Sequence, residues 1–404
     1  MTAGGTAGGP TGDHPPMTTP RRILPVIVLA QLAGTSPWFA VNAVMPDLQR
    51  QFGWAAVDVG TLTSAVQFGF IAGTFVFALL AVADRFSARR VFLVCALASA
   101  GCSLLALLHA ESFGWMWGWR AATGFCLAGI YPVGMKIAAL WFPRGLGAAL
   151  GLLVGALVLG SASAHALRAW GAVWPWPWVF GGVALASALG GLAVIVAVPE
   201  PAARPLGQGP GLRLDALACL VTDGRVRASV LAYFGHMWEL YTLWVLVPLI
   251  LATRLQGTAL AWAAFAVLAA GVLGCVGGGA LVPRWGSARV AGVQLATSGL
   301  CCLAAPWALG AGDAVFATWL LVWGVTVVGD SPQFSALTAS NAPREAVGSV
   351  LTLTNCIGFG ISIVSIQLFV GQIGRVPLAG LLPWLALGPA LGLWALRPLW
   401  REGA

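Results

Sequence analysis

The chain has 404 residues, of which 59 % are apolar or aromatic and only 8 % carry formal charge. A soluble domain runs at about 25 % charged, so no water-facing surface can be built here, which excludes a soluble enzyme, a nucleic-acid binder and a disordered scaffold. The net charge of +8 does not restore a nucleic-acid partner, because the basic residues are scattered singly and in pairs with no stripe.

Residues 1–22 are rich in Gly, Thr and Pro and contain no apolar run. They read as a disordered cytoplasmic tail and not as a signal peptide. Twelve stretches follow that match the roughly 20 apolar residues a membrane-crossing helix needs. They are 23–45, 57–82, 91–108, 114–138, 147–169, 178–198, 228–252, 259–282, 290–309, 314–338, 347–371 and 377–396. Backbone groups in lipid must be satisfied within a segment, and these runs lack the two-residue alternation of a barrel. The expected class is therefore an all-α membrane protein. Its domains are a six-helix bundle over 23–198, a Pro/Gly/Arg-rich cytoplasmic connection over 199–227, and a second six-helix bundle with a short tail over 228–404. Cys219 lies in the connection and the other cysteines fall inside spans, with no CxxC. They read as small packing residues, with neither a metal site nor a disulfide framework.

With the N-terminus in the cytoplasm, fifteen basic residues fall on the cytoplasmic side and four on the other. The positive-inside rule then places both termini in the cytoplasm, and the expected location is a bacterial inner membrane.

Sliding the sequence against itself by 200 positions aligns Gly124 with Gly324, Gly129 with Gly329, Pro132 with Pro332, Pro143 with Pro343 and Arg144 with Arg344. A shift of 199 aligns Arg85 with Arg284 and Arg90 with Arg289. Two related six-helix halves are a known transporter plan, with substrate near the midplane between them.

The stretch Leu80-Ala81-Val82-Ala83-Asp84-Arg85-Phe86-Ser87-Ala88-Arg89-Arg90 resembles the G-x-L-x-D-R-x-G-R-R loop between helices two and three of the major facilitator superfamily. A degenerate copy runs from Gly279 to Arg289 in the second half. Arg120 followed by Gly124 is similar to that family's R-x-x-x-G signature in helix four. The resemblance implies twelve helices in two pseudo-symmetric bundles that rock about a central cavity. Leu80 and Ser87 stand where the loop usually has Gly, and Pro283 stands where the second copy would have its acid.

Asp84 belongs at the cytoplasmic mouth, where a carboxylate can face a helix N-terminus or an Arg of a neighbouring helix. Asp84, Arg85, Arg89, Arg90, Arg284 and Arg289 are the gating candidates. Alternatively, the arginines only anchor helix ends at lipid headgroups.

An ionisable residue inside a span is costly and is a functional candidate by default. His236 and Glu239 are i,i+3 neighbours in the seventh span, with Tyr233 one turn before. A carboxylate and an imidazole held together in low dielectric can exchange a proton; equally, they can form an ion pair that locks the second half. Asp330 lies mid-span opposite Ile130 in the repeat, and Pro332 can bend the helix there. It suits a proton, a cation or an Arg at the gate. Arg120 can attract an anion, tune a nearby acid or bond carbonyls of span one; the resemblance ties its position to proton coupling. Lys136 reads as snorkelling to the interface, and His165 and Arg168 read as headgroup anchors.

The resemblance places spans one and seven against the cavity. The substrate-cavity candidates are Trp38, Phe39, Asn42, Tyr131, Tyr233, Trp238, Tyr241 and Asn355. An aromatic wall suits an organic substrate. Spans two and eight carry no Arg, unlike the nitrate/nitrite branch, and span five has no Gly-Pro, unlike the drug-efflux branch. Copper is not expected, since His236-Met237 has no counterpart in span eight. The sequence thus leads to a monomeric secondary transporter with rocker-switch access and proton coupling, with no enzymatic activity or cofactor. Its partners are a small-molecule substrate, protons and the bilayer. Uptake of a small organic or anionic solute is favoured. Proton-driven efflux of hydrophobic compounds and a non-transporting sensor or assembly factor on this fold are the alternatives.

Overall fold

The protein was analysed as a computed structural model that describes residues 22–142, 146–171, 174–200 and 212–402. All but Arg22 of the expected tail, residues 201–211 of the expected connection, and the repeat positions Pro143 and Arg144 lie outside the described residues.

Among the described residues, twelve helices are long and apolar enough to cross a membrane. In chain order they are Ile23–Phe52, Asp58–Leu79, Ala88–Leu108, Phe113–Trp141, Ala149–Trp170 and Pro177–Ala197, then Gly224–Leu251, Gly257–Trp285, Ser287–Gly310, Asp313–Asn341, Val347–Val370 and Leu378–Trp400. We refer to them as spans one to twelve. Span one runs further than the apolar pattern indicates. Its last turns, Pro46 to Phe52, carry Asp47, Gln49, Arg50 and Gln51 and stand beyond the apolar run. Large apolar side chains such as Leu108, Trp170 and Val196 lie fully on the outer surface, as a lipid-facing wall requires. The even number of spans puts both ends of the described chain on one side, the terminal side; the other is the far side.

Spans one, four and ten are interrupted, and each interruption has a local cause. Span one breaks over residues 36–39, between helices Ile23–Thr35 and Ala40–Phe52, around Pro37. Span four breaks between Phe113–Leu127 and Tyr131–Trp141, and span ten between Asp313–Gly329 and Ser331–Asn341. Pro132 and Pro332 each stand at the second position of the following helix. No backbone N–H is needed there, and the ring would clash with a helix continuing from before. The aligned Gly-Pro pairs of the repeat thus mark the same break in both halves.

Glycines let the helices cross at backbone contact. A β-carbon at Gly124 would collide with the Val66 carbonyl, and one at Gly69 with that of Ala121. In the second half, Gly324 meets the Val267 carbonyl and Gly274 that of Val325. Small residues at such crossings are how helices approach closely where lipid provides no hydrophobic drive between them. The halves meet along two seams, span two against span eleven and span five against span eight. Ser362 Oγ donates to Gln67 Oε1 at 3.1 Å, and Gln367 Nε2 donates to Ser64 Oγ at 2.8 Å, tying the first seam on its far-side half.

Candidate functional site

An aromatic layer closes the centre of the molecule. Trp38 and Phe39 come from the break in span one, Phe70 from span two, Tyr241 and Trp244 from span seven, and Phe359 from span eleven. Trp38 stacks on Tyr241 with ring centroids 5.9 Å apart and planes 12° apart. Trp38 also meets Phe70 at 5.0 Å and Phe359 at 5.8 Å, and Phe39 meets Trp244 edge-on at 5.5 Å. Three rings come from each half, so the layer is shared between the bundles. On its far side lies a cavity of about 560 Å³ bordered by Asn42, Asp47, Arg50, Arg168 and Gln256. On its terminal side lies one of about 240 Å³ bordered by Thr74, Asp84, Pro132, Lys136, Glu345 and Thr352.

The second half carries the buried acids. His236 Nδ1 stands 2.8 Å from Asp330 Oδ1, and both side chains are buried. Asp330 occupies the one residue between the two helices of span ten, so the break is what turns its carboxylate towards span seven. Glu239 does not pair with His236. It points instead towards spans nine and ten, where Oε1 accepts from Trp323 Nε1 at 2.6 Å and from Cys302 Sγ at 3.2 Å, and Oε2 accepts from Ser298 Oγ at 2.9 Å. The i,i+3 spacing put His236 and Glu239 on adjoining faces, but the faces look at different neighbours. The expected His236–Glu239 pair is therefore corrected to His236–Asp330. No Lys or Arg lies within ion-pair distance of Asp330 or Glu239 among the described residues.

The surroundings of Glu239 accommodate a proton on its carboxyl. All three partners of Glu239 are neutral. The indole N–H can only donate, whereas the Ser298 hydroxyl can donate or accept. Ser298 Oγ also reaches the Leu295 carbonyl at 3.2 Å. The hydroxyl can donate to an ionised Glu239, or accept from a protonated one while donating to Leu295. Either state leaves the buried carboxyl hydrogen-bonded, which is what burial of a polar group demands.

The first half carries one buried cation. Arg120 is fully buried, and its Nη2 donates to the Trp38 carbonyl at 2.5 Å. That carbonyl lies in the break of span one, and no backbone N–H reaches it among the described residues. The Arg thus caps the break, as the carbonyl-bonding reading held. Its Nε and Nη1 have no hydrogen-bond partner among the described residues.

At the terminal mouth, Asp84 pairs with Lys136 Nζ at 2.5 Å, and Lys136 also bonds the Ala83 carbonyl. Among the described residues neither an Arg nor a helix N-terminus takes Asp84, and Lys136 turns to this loop and not to the interface. Arg89 bonds the Val198 carbonyl and stands 3.3 Å from Glu200, while Ser87 Oγ donates to Glu200 at 3.0 Å; together they tie the loop to the end of span six. Arg85, Arg90 and Arg284 are exposed and Arg289 partly exposed, with no side-chain partner among the described residues. On the far side, Arg168 grips Asp47 through Nε at 2.9 Å and Nη2 at 3.1 Å, and His165 is buried. Neither is the headgroup anchor its position in span five suggested.

Of the cavity candidates, Trp38, Phe39 and Tyr241 meet in the aromatic layer. Asn42 Nδ2 donates to Thr63 Oγ1 at 2.9 Å one turn towards the far side. Tyr233 lies two turns from Tyr241 towards the terminal side, its ring 5.8 Å from His236. Tyr131 and Asn355 are partly buried in spans four and eleven. Trp238 packs on Phe369 and Gly388, away from the layer. Sequence reasoning missed Trp244, Phe70, Phe359, Ser298, Cys302 and Trp323. Trp244 could have been found, being i+3 from Tyr241 on one helical face. The partners of Glu239 lie 59 to 84 residues away, and no local pattern marks them.

A model of the Major Facilitator Superfamily matches residues 27–366. Two solved structures share the fold. The human organic anion transporter MFSD10 (TETRAN) aligns with a TM-score of 0.71 at 16 % identity, over 95 % of this chain and 100 % of that one. A mutant of the nucleoside transporter NupG aligns with a TM-score of 0.71 at 14 % identity, over 93 % and 99 %. At these identities the likeness is one of fold. No curated protein matches the sequence.

Proposed function

Since the chain belongs to the Major Facilitator Superfamily and is a multi-pass secondary transporter, we propose that it couples the movement of a small organic solute to protons. The observation that carries this reading is the buried cluster His236, Asp330 and Glu239, with no Lys or Arg to neutralise it among the described residues. Fixed carboxylates in low dielectric are tolerated when neutral or paired, and the cluster offers three side chains that can each carry a proton. Its place supports a coupling role. His236 is one turn from Tyr233 and Tyr241 is two residues from Glu239, so span seven joins the cluster to the aromatic layer. The break in span ten gives Asp330 a hinge at which the two helices of that span can change their angle. The direction we propose is uptake, because span five lacks the Gly-Pro pair of the efflux branch. The location we propose is a bacterial inner membrane with cytoplasmic termini, on the distribution of basic residues.

The test begins with a solute found by thermal-shift screening of the purified protein at two pH values. In proteoliposomes, that solute should accumulate under an inward proton gradient. Glu239→Gln should abolish gradient-driven accumulation while leaving gradient-free exchange of labelled for unlabelled solute within about twofold. Unchanged accumulation in that variant overturns the coupling assignment.

A further inference from the structure

The buried polar groups around the aromatic layer are unbalanced in kind. Trp38 Nε1 and Trp244 Nε1 are buried in the layer and neither has a hydrogen-bond partner among the described residues. Arg120 Nε and Nη1 are in the same condition directly behind Trp38, whose carbonyl the guanidinium holds. Indole and guanidinium N–H groups can only donate. A rotating hydroxyl therefore cannot satisfy one by turning its own hydrogen to it, and each vacancy asks for an acceptor. Leaving a buried donor unmet costs about 1–3 kcal/mol, and natural proteins keep few such groups without a use.

The charge points the same way. No Asp or Glu lies within ion-pair distance of Arg120 among the described residues. Its one hydrogen-bonding partner is a neutral carbonyl, so the positive charge behind Trp38 is uncompensated. A buried, unpaired cation is stabilised by any anion that reaches it without water between. The rings supply the remaining recognition. Trp38 and Tyr241 come from opposite halves and lie nearly parallel, 12° apart. When the halves part, each exposes a flat face to the gap. A planar ring entering there replaces the contact the two residues make with each other, and offset stacking of this kind is worth about 0.5–1.5 kcal/mol beyond area burial.

Resting on the transport reading above, we infer that the solute is a planar organic anion, an aromatic carboxylate or a close equivalent. Its ring lies between Trp38 and Tyr241. Its carboxylate accepts from the Trp38 and Trp244 indoles in the field of Arg120. The opposite half then has the complementary need, because an anion brought near Glu239 and Asp330 is repelled unless a proton comes with it. Anion and proton thus neutralise each other's cost in the same central region.

The experiment measures equilibrium binding to the full-length protein in detergent by calorimetry, with no gradient present. The probes are benzoate, indole-3-acetate, methyl benzoate, benzylammonium and acetate. The two aromatic acids should bind, and the ester, the amine and acetate should bind at least tenfold more weakly. Trp38→Phe keeps the ring and removes the N–H, and should weaken the acids several-fold and methyl benzoate less. Arg120→Gln should weaken the acids tenfold or more. Arg120→Lys keeps the charge and should restore most of the affinity, so a merely structural role for the guanidinium is separated from an electrostatic one. The inference is overturned if neither acid binds, if ester or amine binds as tightly as the acids, or if Arg120→Gln weakens acid and ester alike. Failure of the coupling reading looks different: acids bind as stated, yet a proton gradient drives no accumulation.

Discussion

At the break in span four, Ile130 packs so closely on span one that a β-carbon at Gly34 would stand 2.7 Å from its Cγ2. At the same break in span ten, Asp330 stands 2.8 Å from His236 of span seven. Both breaks rest on the same Gly and Pro, Gly129 with Pro132 and Gly329 with Pro332, and both lie beside the same tight crossing, at Gly124 and Gly324. The backbone is duplicated, and the contents are not. The first half fills its break with an apolar contact and keeps a cation one layer away at Arg120, where the second half has Leu320. The second half fills its break with the Asp330 carboxyl against the His236 imidazole, and adds Glu239. Duplication fixes where a break can be, and one difference there, Asp330 in place of Ile130, gives only the second half an ionisable side chain at its break.

The largest expected effect comes from erasing that difference with the least change of shape. Asp330→Asn keeps the volume of the side chain and removes its ability to ionise. Gradient-driven uptake in proteoliposomes should fall more than tenfold, with the unfolding temperature in detergent within a few degrees of the parent. The matching change in the first half, Ile130→Val, trims a methylene from an apolar contact and should leave uptake within about twofold. If Asp330→Asn accumulates solute normally, the second half is not the titrating one and the comparison fails.

The next effect tests the sameness of the halves. Gly124→Ala and Gly324→Ala each place a methyl group against a backbone carbonyl that cannot move aside. Overpacking of this kind costs about 1–3 kcal/mol, and the two variants should lower the thermal unfolding temperature by similar amounts. A loss confined to one of them would show that the crossings only look alike.

The scaffold was legible in the sequence because it depends on periodic or repeated signals. Apolar length marked the twelve spans, and the aligned Gly129–Pro132 and Gly329–Pro332 marked the repeat, with a bend expected only at Pro332. The site was legible only by inventory. The ionisable residues His236, Glu239, Asp330 and Arg120 are few enough to be singled out, but their partners are not local. Glu239 is satisfied by Ser298, Cys302 and Trp323, three residues from two other spans. Nothing in their surroundings in the chain separates this Trp from the other indoles or this Cys from those that merely pack. Helical spacing tells which face a residue is on, and His236 and Glu239 show that neighbouring faces can meet different helices.

The smallest expected effect lies at the terminal mouth, where the two halves differ through one loop. After span two the chain turns through Ala81, whose φ of 49° is left-handed, and presents Asp84 from a short helix; after span eight the helix runs on through Pro283 to Trp285. The first loop therefore has an acid to pair and the second has none. Asp84 and Lys136 are 46 % and 30 % exposed, so water screens the pair, and exposed pairs are worth about 0.2–1 kcal/mol in double-mutant cycles. A cycle of Asp84→Asn and Lys136→Gln, read by thermal unfolding, should give a coupling in that range. Turnover should fall alike in both single variants while solute affinity is unchanged, because each removes the same tie within the first half. Arg85→Gln and Arg90→Gln should change neither, since both side chains are exposed and unpaired among the described residues. If instead Arg85→Gln slows turnover as much as Asp84→Asn, the acid is held by an arginine during the cycle, and the Lys136 pair belongs to only one of the transporter's states.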